Sequence, residues 1–312
     1  MFIKPSVITM PEYNGYLNVY KEKGMTSHDV VFRARKILKT KKIGHTGTLD
    51  PDAEGVLVLC IGKATKMVEY IIEHEKTYEA QVILGMETDT GDISGKLIHD
   101  GGSRVTINAF TKILSQFTGN IMQKPPIYSA IRINGKKLYH YARNGETVEI
   151  PERPVSISKL SLLEFSEDQQ QARLMVTCSK GTYIRSLCQD IGAALGSYGC
   201  MGSLLRHRVG DFTIDTAHKL SEIEEKEESS QLDGFIYSME YSLDRYRCVT
   251  ANEQGKKFLI NGNKLYQWNA VESFDAYYPS EILRLYVDNE LVGMGSFCPS
   301  DDDSYVKPVK LL

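Results

Sequence analysis

The sequence predicts a protein of mixed helices and strands, built as a larger unit followed by a small β-rich one. Three observations carry this. Residues 78–84 and 172–178 alternate apolar and polar side chains, the mark of half-buried strands. Residues 26–38 repeat apolar residues with helical spacing. The last 64 residues hold several short strand-like runs. The length of 312 residues suits about two domains of roughly 100–200 residues each. The 42% hydrophobic and 25% charged content is that of a globular chain and excludes a wholly disordered or collagen-like one.

The elements follow in order. Thr26 caps the first helix and Asp29 completes a variant capping box. Val30, Val31, Ala34, Ile37 and Leu38 share its apolar face, and basic residues occupy the other. The strand at 78–84 ends at Gly85. The strand at 172–178 runs into Lys180-Gly181-Thr182, and a helix follows with Tyr183, Leu187, Ile191 and Leu195 on one face. Ile98–Val105 reads as a loop. Glu222–Glu228 carries five acids to one base and reads as an exposed helix end or connector, which places a boundary near 240–248. The expected division is 1–245 and 246–312. In the second unit a helix is expected near 251–260, then strands at Ile282–Val287, Leu291–Phe297 and Tyr305–Leu311.

Several function classes are disfavoured. The longest apolar run, Val56–Ile61, is far short of the ~20 residues that span a bilayer. The start, MFIKPSVITM, lacks the pattern of a signal peptide, so a cytoplasmic protein is expected. The six cysteines show no CxxC spacing, which argues for reduced thiols and against a zinc site. Gly62-Lys63 imitates a P-loop, but Leu57 stands where glycine is required and Ala64 where Ser or Thr is. Asp50, Asp52 and Glu54 imitate a calcium loop whose twelfth position is Ile61 instead of Glu. The net charge of −3 argues weakly against nucleic acid, yet residues 20–66 hold ten bases and five acids. Six of those bases lie between Arg33 and Lys42.

The most informative segment is Gly44–Lys66, GHTGTLDPDAEGVLVLCIGKATK. Pro51 holds Asp50 out of helical geometry, and the glycines permit close backbone approach. On local grounds alone Asp50 closes a turn. The segment, however, resembles the catalytic motif of the TruB family of tRNA pseudouridine-55 synthases. Further matches follow in family order: KEKGMTS at 21–27, Lys76-Thr77-Tyr78 with Thr88–Asp92, Gln123–Ala130, Cys178–Arg185 and Leu204-Leu205-Arg206. They cover roughly residues 14–212. Tyr20, Glu22, Arg132 and His207 depart from the family pattern without touching Asp50.

The resemblance implies the α+β pseudouridine synthase fold, a largely antiparallel sheet flanked by helices, with a C-terminal module similar to a PUA domain. It implies isomerisation of uridine to pseudouridine in the T stem-loop of tRNA, on a base extruded from its stack. No cofactor, metal, membrane or obligate protein partner is implied, and a monomer is expected. Asp50 is the implied nucleophile or covalent partner; attack on the sugar, attack on the base and proton removal remain open. Arg185 would keep Asp50 ionised and oriented. Tyr78 would pack against the flipped uracil and carry a proton during rearomatisation. Tyr183 and Leu204 would form walls of the pocket. His45 would fill the gap left by the base or stack on a neighbour. Lys21 and the Arg33–Lys42 cluster would contact phosphates. Two other classes stand beside this reading: an RNA-binding protein without catalysis, and a hydrolase with Asp52 or Asp89 as a second carboxylate.

Overall fold

The computed structural model describes residues 13–312, so the reading of the first ten residues lies outside it. Its centre is a ten-stranded sheet. In spatial order the main strands are Ile236–Tyr237, Gly15–Lys21, Glu54–Ile61, Gly199–Val209, Lys76–Leu84, Gln171–Cys178, Arg153–Ser166 and Gly119–Gln123. The short strands Ile43–His45 and Phe212–Thr213 pair with Glu54–Ile61 and Gly199–Val209. Every pairing is antiparallel except one: Glu54–Ile61 meets Gly199–Val209 in parallel, with Leu205 opposite Glu54 and Arg206 opposite Gly55. The predicted α+β class with a mainly antiparallel sheet is the observed one.

The apolar pattern explains where each strand sits. Lys76–Leu84 alternates strictly between buried and half-buried residues. Glu54–Ile61 is buried along nearly its whole length, and each face enters a different core. Leu57, Leu59 and Ile61 join Val30, Ala34 and Ile37 of the helix Ser27–Ile37. Val56, Val58 and Cys60 join Tyr16, Met67 and Phe212. A strand covered on both faces must be apolar throughout, which is why this run shows no alternation. The helix Ser27–Ile37 has the capping box expected of it: Asp29 N donates to Thr26 Oγ1 (3.1 Å) and Thr26 N to Asp29 Oδ2 (2.9 Å). The helix Ile184–Ala194 packs Ile184, Leu187 and Ile191 into a third core with Tyr78, Ala80 and Leu174.

A five-stranded sheet follows, in the order Cys248–Thr250, Ile282–Val287, Glu290–Cys298, Tyr305–Leu311, Leu265–Tyr266. It has its own core around Val249, Leu259, Leu285 and Phe297. Leu291 and Met294 also pack into the core of Tyr16 and Val56, so the two sheets share a buried contact.

Two local expectations are corrected and a third, left open between two readings, is decided. Residues 97–100 form a strand, Leu97–Asp100, paired with Met86–Thr88, so the loop expected from Ile98 onward starts only after Asp100. All four of its residues are exposed, so no apolar alternation marked it. The acidic run, read as a helix end or a connector, is the exposed end of a helix, Leu220–Glu228, which Leu220 and Ile223 seat against Val30 and Ile37. The C-terminal helix is shorter than 251–260 and spans Gly255–Ile260. Ala251 is held extended by a bridge to Ala270 and by donating its N–H to Tyr286 O (2.9 Å), which delays the helix.

Gly55 permits the parallel pairing of Glu54–Ile61 with Gly199–Val209. Its φ is +100°, and a Cβ there would lie 2.3 Å from Arg206 O and 2.9 Å from Arg206 N. Gly55→Ala is therefore expected to destabilise the fold by more than ~2 kcal/mol, read as a lowered midpoint in urea unfolding. An unchanged midpoint would contradict this account of the strand junction.

Candidate active site

Asp50 sits on the loop between Ile43–His45 and Glu54–Ile61, and neighbouring groups hold that loop on both sides. Leu49 is buried, and its N–H donates to Ser27 Oγ (2.9 Å) while Ser27 Oγ donates to Leu49 O (3.1 Å). Ala53 N closes the turn onto Asp50 O (3.1 Å), and Gly24 N donates to Pro51 O (3.0 Å). Lys21 supplies the remaining clamp. Its Nζ donates to Pro51 O (2.9 Å), Ala53 O (2.6 Å) and Glu22 O (3.1 Å).

This placement corrects the expectation that Lys21 contacts phosphate. The side chain is fully buried, and its three donors are spent on carbonyls beside Asp50. Burial also pulls its pKa down, with Glu54, Asp52 and Asp50 opposing. Lys21 positions the Asp50 loop instead.

Arg185 opens the helix Ile184–Ala194 and is 6% exposed. Its Nε is 3.1 Å from Asp50 Oδ2, and its Nη1 is 3.7 Å from Asp92 Oδ2. Nη1 and Nη2 donate to Thr90 O and Tyr128 O, each at 2.9 Å. Asp92 is fixed in turn: its Oδ1 accepts from Thr90 Oγ1 (2.9 Å) and Ser94 N (3.0 Å). The sequence offered Asp52 or Asp89 as a second carboxylate. Asp52 is exposed, Asp89 Oδ1 accepts from Lys96 N (2.7 Å), and the carboxylate that shares Arg185 is Asp92.

Asp50, Tyr78, Tyr183, Arg185, Leu204 and Arg206 all line one cavity of ≈ 480 Å³. That volume lies in the range of small-molecule sites, ~300–1,000 Å³. Tyr78 stands on the inward face of Lys76–Leu84 and is nine-tenths buried. Tyr183 is held by Gln123, whose side chain donates to Tyr183 O (3.0 Å) and accepts from Tyr183 N (2.8 Å). His45 precedes the wall residues Thr46 and Gly47, and its Nδ1 accepts from Gly47 N (3.3 Å). The cavity thus gathers Asp50, Tyr78, Arg185, Tyr183 and Leu204; His45 adjoins it, and Lys21 stands behind it.

Arg206 is the lining residue whose importance sequence reasoning missed. It is 2% exposed, with Nε donating to Val56 O (2.6 Å) and Nη2 to Gly47 O (3.1 Å). The available signal was period 2: it shares a strand face with Leu204, an inward position unusual for a charge.

Burial raises the pKa of Asp50, and Arg185 is the main opposing charge. The side chain keeps 38% exposure, so the apolar walls and Asp92 shift it without enclosing it. Burial also raises the pKa of Tyr78, against the pull of Arg206. It lowers that of Lys76, on the same wall, to about 8. Among the described residues, no group of three or more His, Cys, Asp or Glu is arranged to hold a metal ion.

The profile of the TruB family pseudouridylate synthase N-terminal domain matches residues 35–184, and that of the tRNA pseudouridylate synthase B C-terminal domain matches 185–244. A tRNA pseudouridine synthase B of Staphylococcus saprophyticus is 43% identical over 285 residues, 89% of this chain and 92% of its own. One from Staphylococcus aureus is 41% identical over 306 residues, 96% of this chain and 99% of its own. Among solved structures, a Cbf5–Nop10–Gar1 complex contains a chain with TM-score 0.75 and 25% identity, covering 95% of this chain and 84% of that one. An H/ACA RNP bound to a substrate RNA containing 2′-deoxyuridine has a chain with TM-score 0.73, covering 98% and 92%, a likeness of fold at 22% identity. The fold is that of a pseudouridine synthase, an isomerase. Within that class, the chain belongs to the TruB family.

Because burial disfavours the ionised form of Asp50, activity that needs the carboxylate is lost, as pH falls, at a higher pH than for an ordinary aspartate. Arg185→Gln removes the main opposing charge and is expected to move this acid limb further upward. Single-turnover rates between pH 4 and 8 measure it. A limb that stays in place in the variant would show that Arg185 does not set the ionisation of Asp50.

Proposed function

We propose that this chain converts uridine 55 in the T loop of tRNA to pseudouridine, with Asp50 as the nucleophilic carboxylate. The observation that carries the reading is the Asp50–Arg185 pair at the wall of a cavity shared with Tyr78. RNA binding alone needs no oriented carboxylate. The curated relatives, named as acting on tRNA, support the substrate.

In this reading the target uridine leaves its stack and enters the cavity. The few kcal/mol spent on extrusion are offset by packing against Tyr78, Tyr183 and Leu204. His45 beside the entrance occupies the gap or stacks on a neighbouring base. The glycosidic C–N bond breaks, the base turns, and C5 bonds to C1′. Atoms are rearranged and none is added, so the reaction calls for no cofactor. Tyr78 carries a proton as the C5 hydrogen is lost. The carboxylate route, through sugar or base, is common to this scheme.

The exposed side chains of Arg33, Arg35, Lys36, Lys39, Lys41 and Lys42 supply a phosphate-contacting face. Helical RNA is recognised here by shape and by its loop, since the A-form major groove is closed to side chains. We assign residues 1–245 to catalysis and 246–312, with their own sheet, to a PUA-like RNA-binding module. We also assign a cytoplasmic monomer, in keeping with six free cysteines and no membrane-spanning helix among the described residues.

Two outcomes are expected. A T-arm hairpin tritiated at uracil C5 releases tritium with the wild type, and Asp50→Asn slows release about a thousandfold or more while RNA binding persists. Binding without release by the wild type would leave an RNA-binding protein, and free uracil would indicate a hydrolase. Second, the log of the association constant falls linearly with log salt, with a slope of roughly −0.7 to −0.9 per phosphate contacted. Salt-insensitive binding would remove the basic face from the interface.

A further inference from the structure

Two buried arginines line the cavity, and they differ in one respect. Arg185 is met by Asp50 and Asp92. Arg206 has no carboxylate within ion-pairing distance among the described residues; its guanidinium is held by the backbone carbonyls of Val56 and Gly47 and meets the Tyr78 hydroxyl. A buried cation with only neutral partners is costly, and such a site is completed by an anion. The surroundings strengthen the demand. Lys76 lines the same wall and is buried, and its ammonium is likewise held by carbonyls, those of Ile72 and His74.

The geometry points to which anion. Arg206 lies directly opposite Tyr78 on the neighbouring antiparallel strand, so both side chains occupy the same face. At 2% exposure it is too deep for a phosphate of the RNA chain. What reaches that depth is the extruded base. When the C1′–N1 bond breaks, its electron pair stays with the uracil, which becomes an anion. When C5 bonds to C1′, the pair returns to the sugar and the charge on the base is discharged. We propose that Arg206 is a catalytic residue, the fixed counter-charge for the uracil anion between these two steps. A preorganised cation in a water-poor site acts on charge that exists only along the reaction path, and so speeds the chemistry more than it tightens binding.

This inference rests on the isomerase reading, and the test separates the two. The full-length wild type, Arg206→Gln and Arg206→Lys are compared on T-arm hairpins bearing uridine or 5-fluorouridine at the target. Single-turnover loss of the target nucleoside and the RNA Kd are both measured. Fluorine withdraws electrons and makes the base a better leaving anion, so it needs the counter-charge less. The expected result is a ~100-fold slower reaction of uridine in Arg206→Gln, Kd within ~3-fold, and about tenfold slowing in Arg206→Lys. With 5-fluorouridine, both deficits shrink at least ~3-fold. Equal deficits on the two substrates would make Arg206 a structural support and overturn the proposal, as would a loss confined to Kd or a rate near wild type. If Arg206→Gln does not fold, the substrate ratio in Arg206→Lys decides alone. An inactive wild type would instead remove the isomerase reading itself.

Discussion

The Arg185 guanidinium is the interaction on which the site depends. A buried charge is tolerated only when it is paired and hydrogen-bonded, and this one takes all of its partners from other segments. Asp50 comes from the glycine-rich loop, Asp92 and the Thr90 carbonyl from the turn at 88–95, and the Tyr128 carbonyl from the segment after Gly119–Gln123. One side chain on a helix therefore fixes three stretches that share no secondary structure. It fixes the position of Asp50 and opposes the upward pKa shift that burial imposes on it, so geometry and charge meet in the same group.

The sheet brings that group to Asp50. Glu54–Ile61 is buried on both faces, which anchors the end of the strand where the Asp50 loop enters. Its one parallel neighbour, Gly199–Val209, delivers Leu204 and Arg206 to the cavity, and its antiparallel neighbour beyond, Lys76–Leu84, delivers Tyr78. The absence of a side chain at Gly55 lets these strands approach. Lys21 then converts the remaining freedom of the loop into a set position by saturating its carbonyls. Leu49, Ile184 and Leu204 share the walls with charged groups that hydrogen bonds hold in place, a combination that lets a cavity act electrostatically on what enters it.

Legibility in the sequence followed the physics of each feature. Periodicity and caps are local, so the helix at 27–37 and the strands at 76–84 and 171–178 could be read within a residue or two. The exposed strand Leu97–Asp100 has no buried face to leave a pattern and was invisible. The acidic run left helix end and connector both open, because its charges outnumber the two apolar residues, Leu220 and Ile223, that seat it as a helix. Lys21 was misplaced for a similar reason: a lysine in a basic segment suggests a phosphate contact, and only the fold shows its ammonium enclosed by carbonyls.

The sequence by itself pointed to the family and singled out Asp50, Tyr78, Tyr183, Arg185 and Leu204, which line one cavity, because residue types at fixed spacing within motifs are local information. It also showed that a net charge of −3 conceals a basic segment. Tertiary structure decided how those residues meet, that Asp92 shares Arg185, that Lys21 stands behind the loop, and that Arg206 meets no carboxylate among the described residues. These are properties of pairs brought together across the sheet, where burial and distance set the strength of every charge, and neither is encoded at a single position.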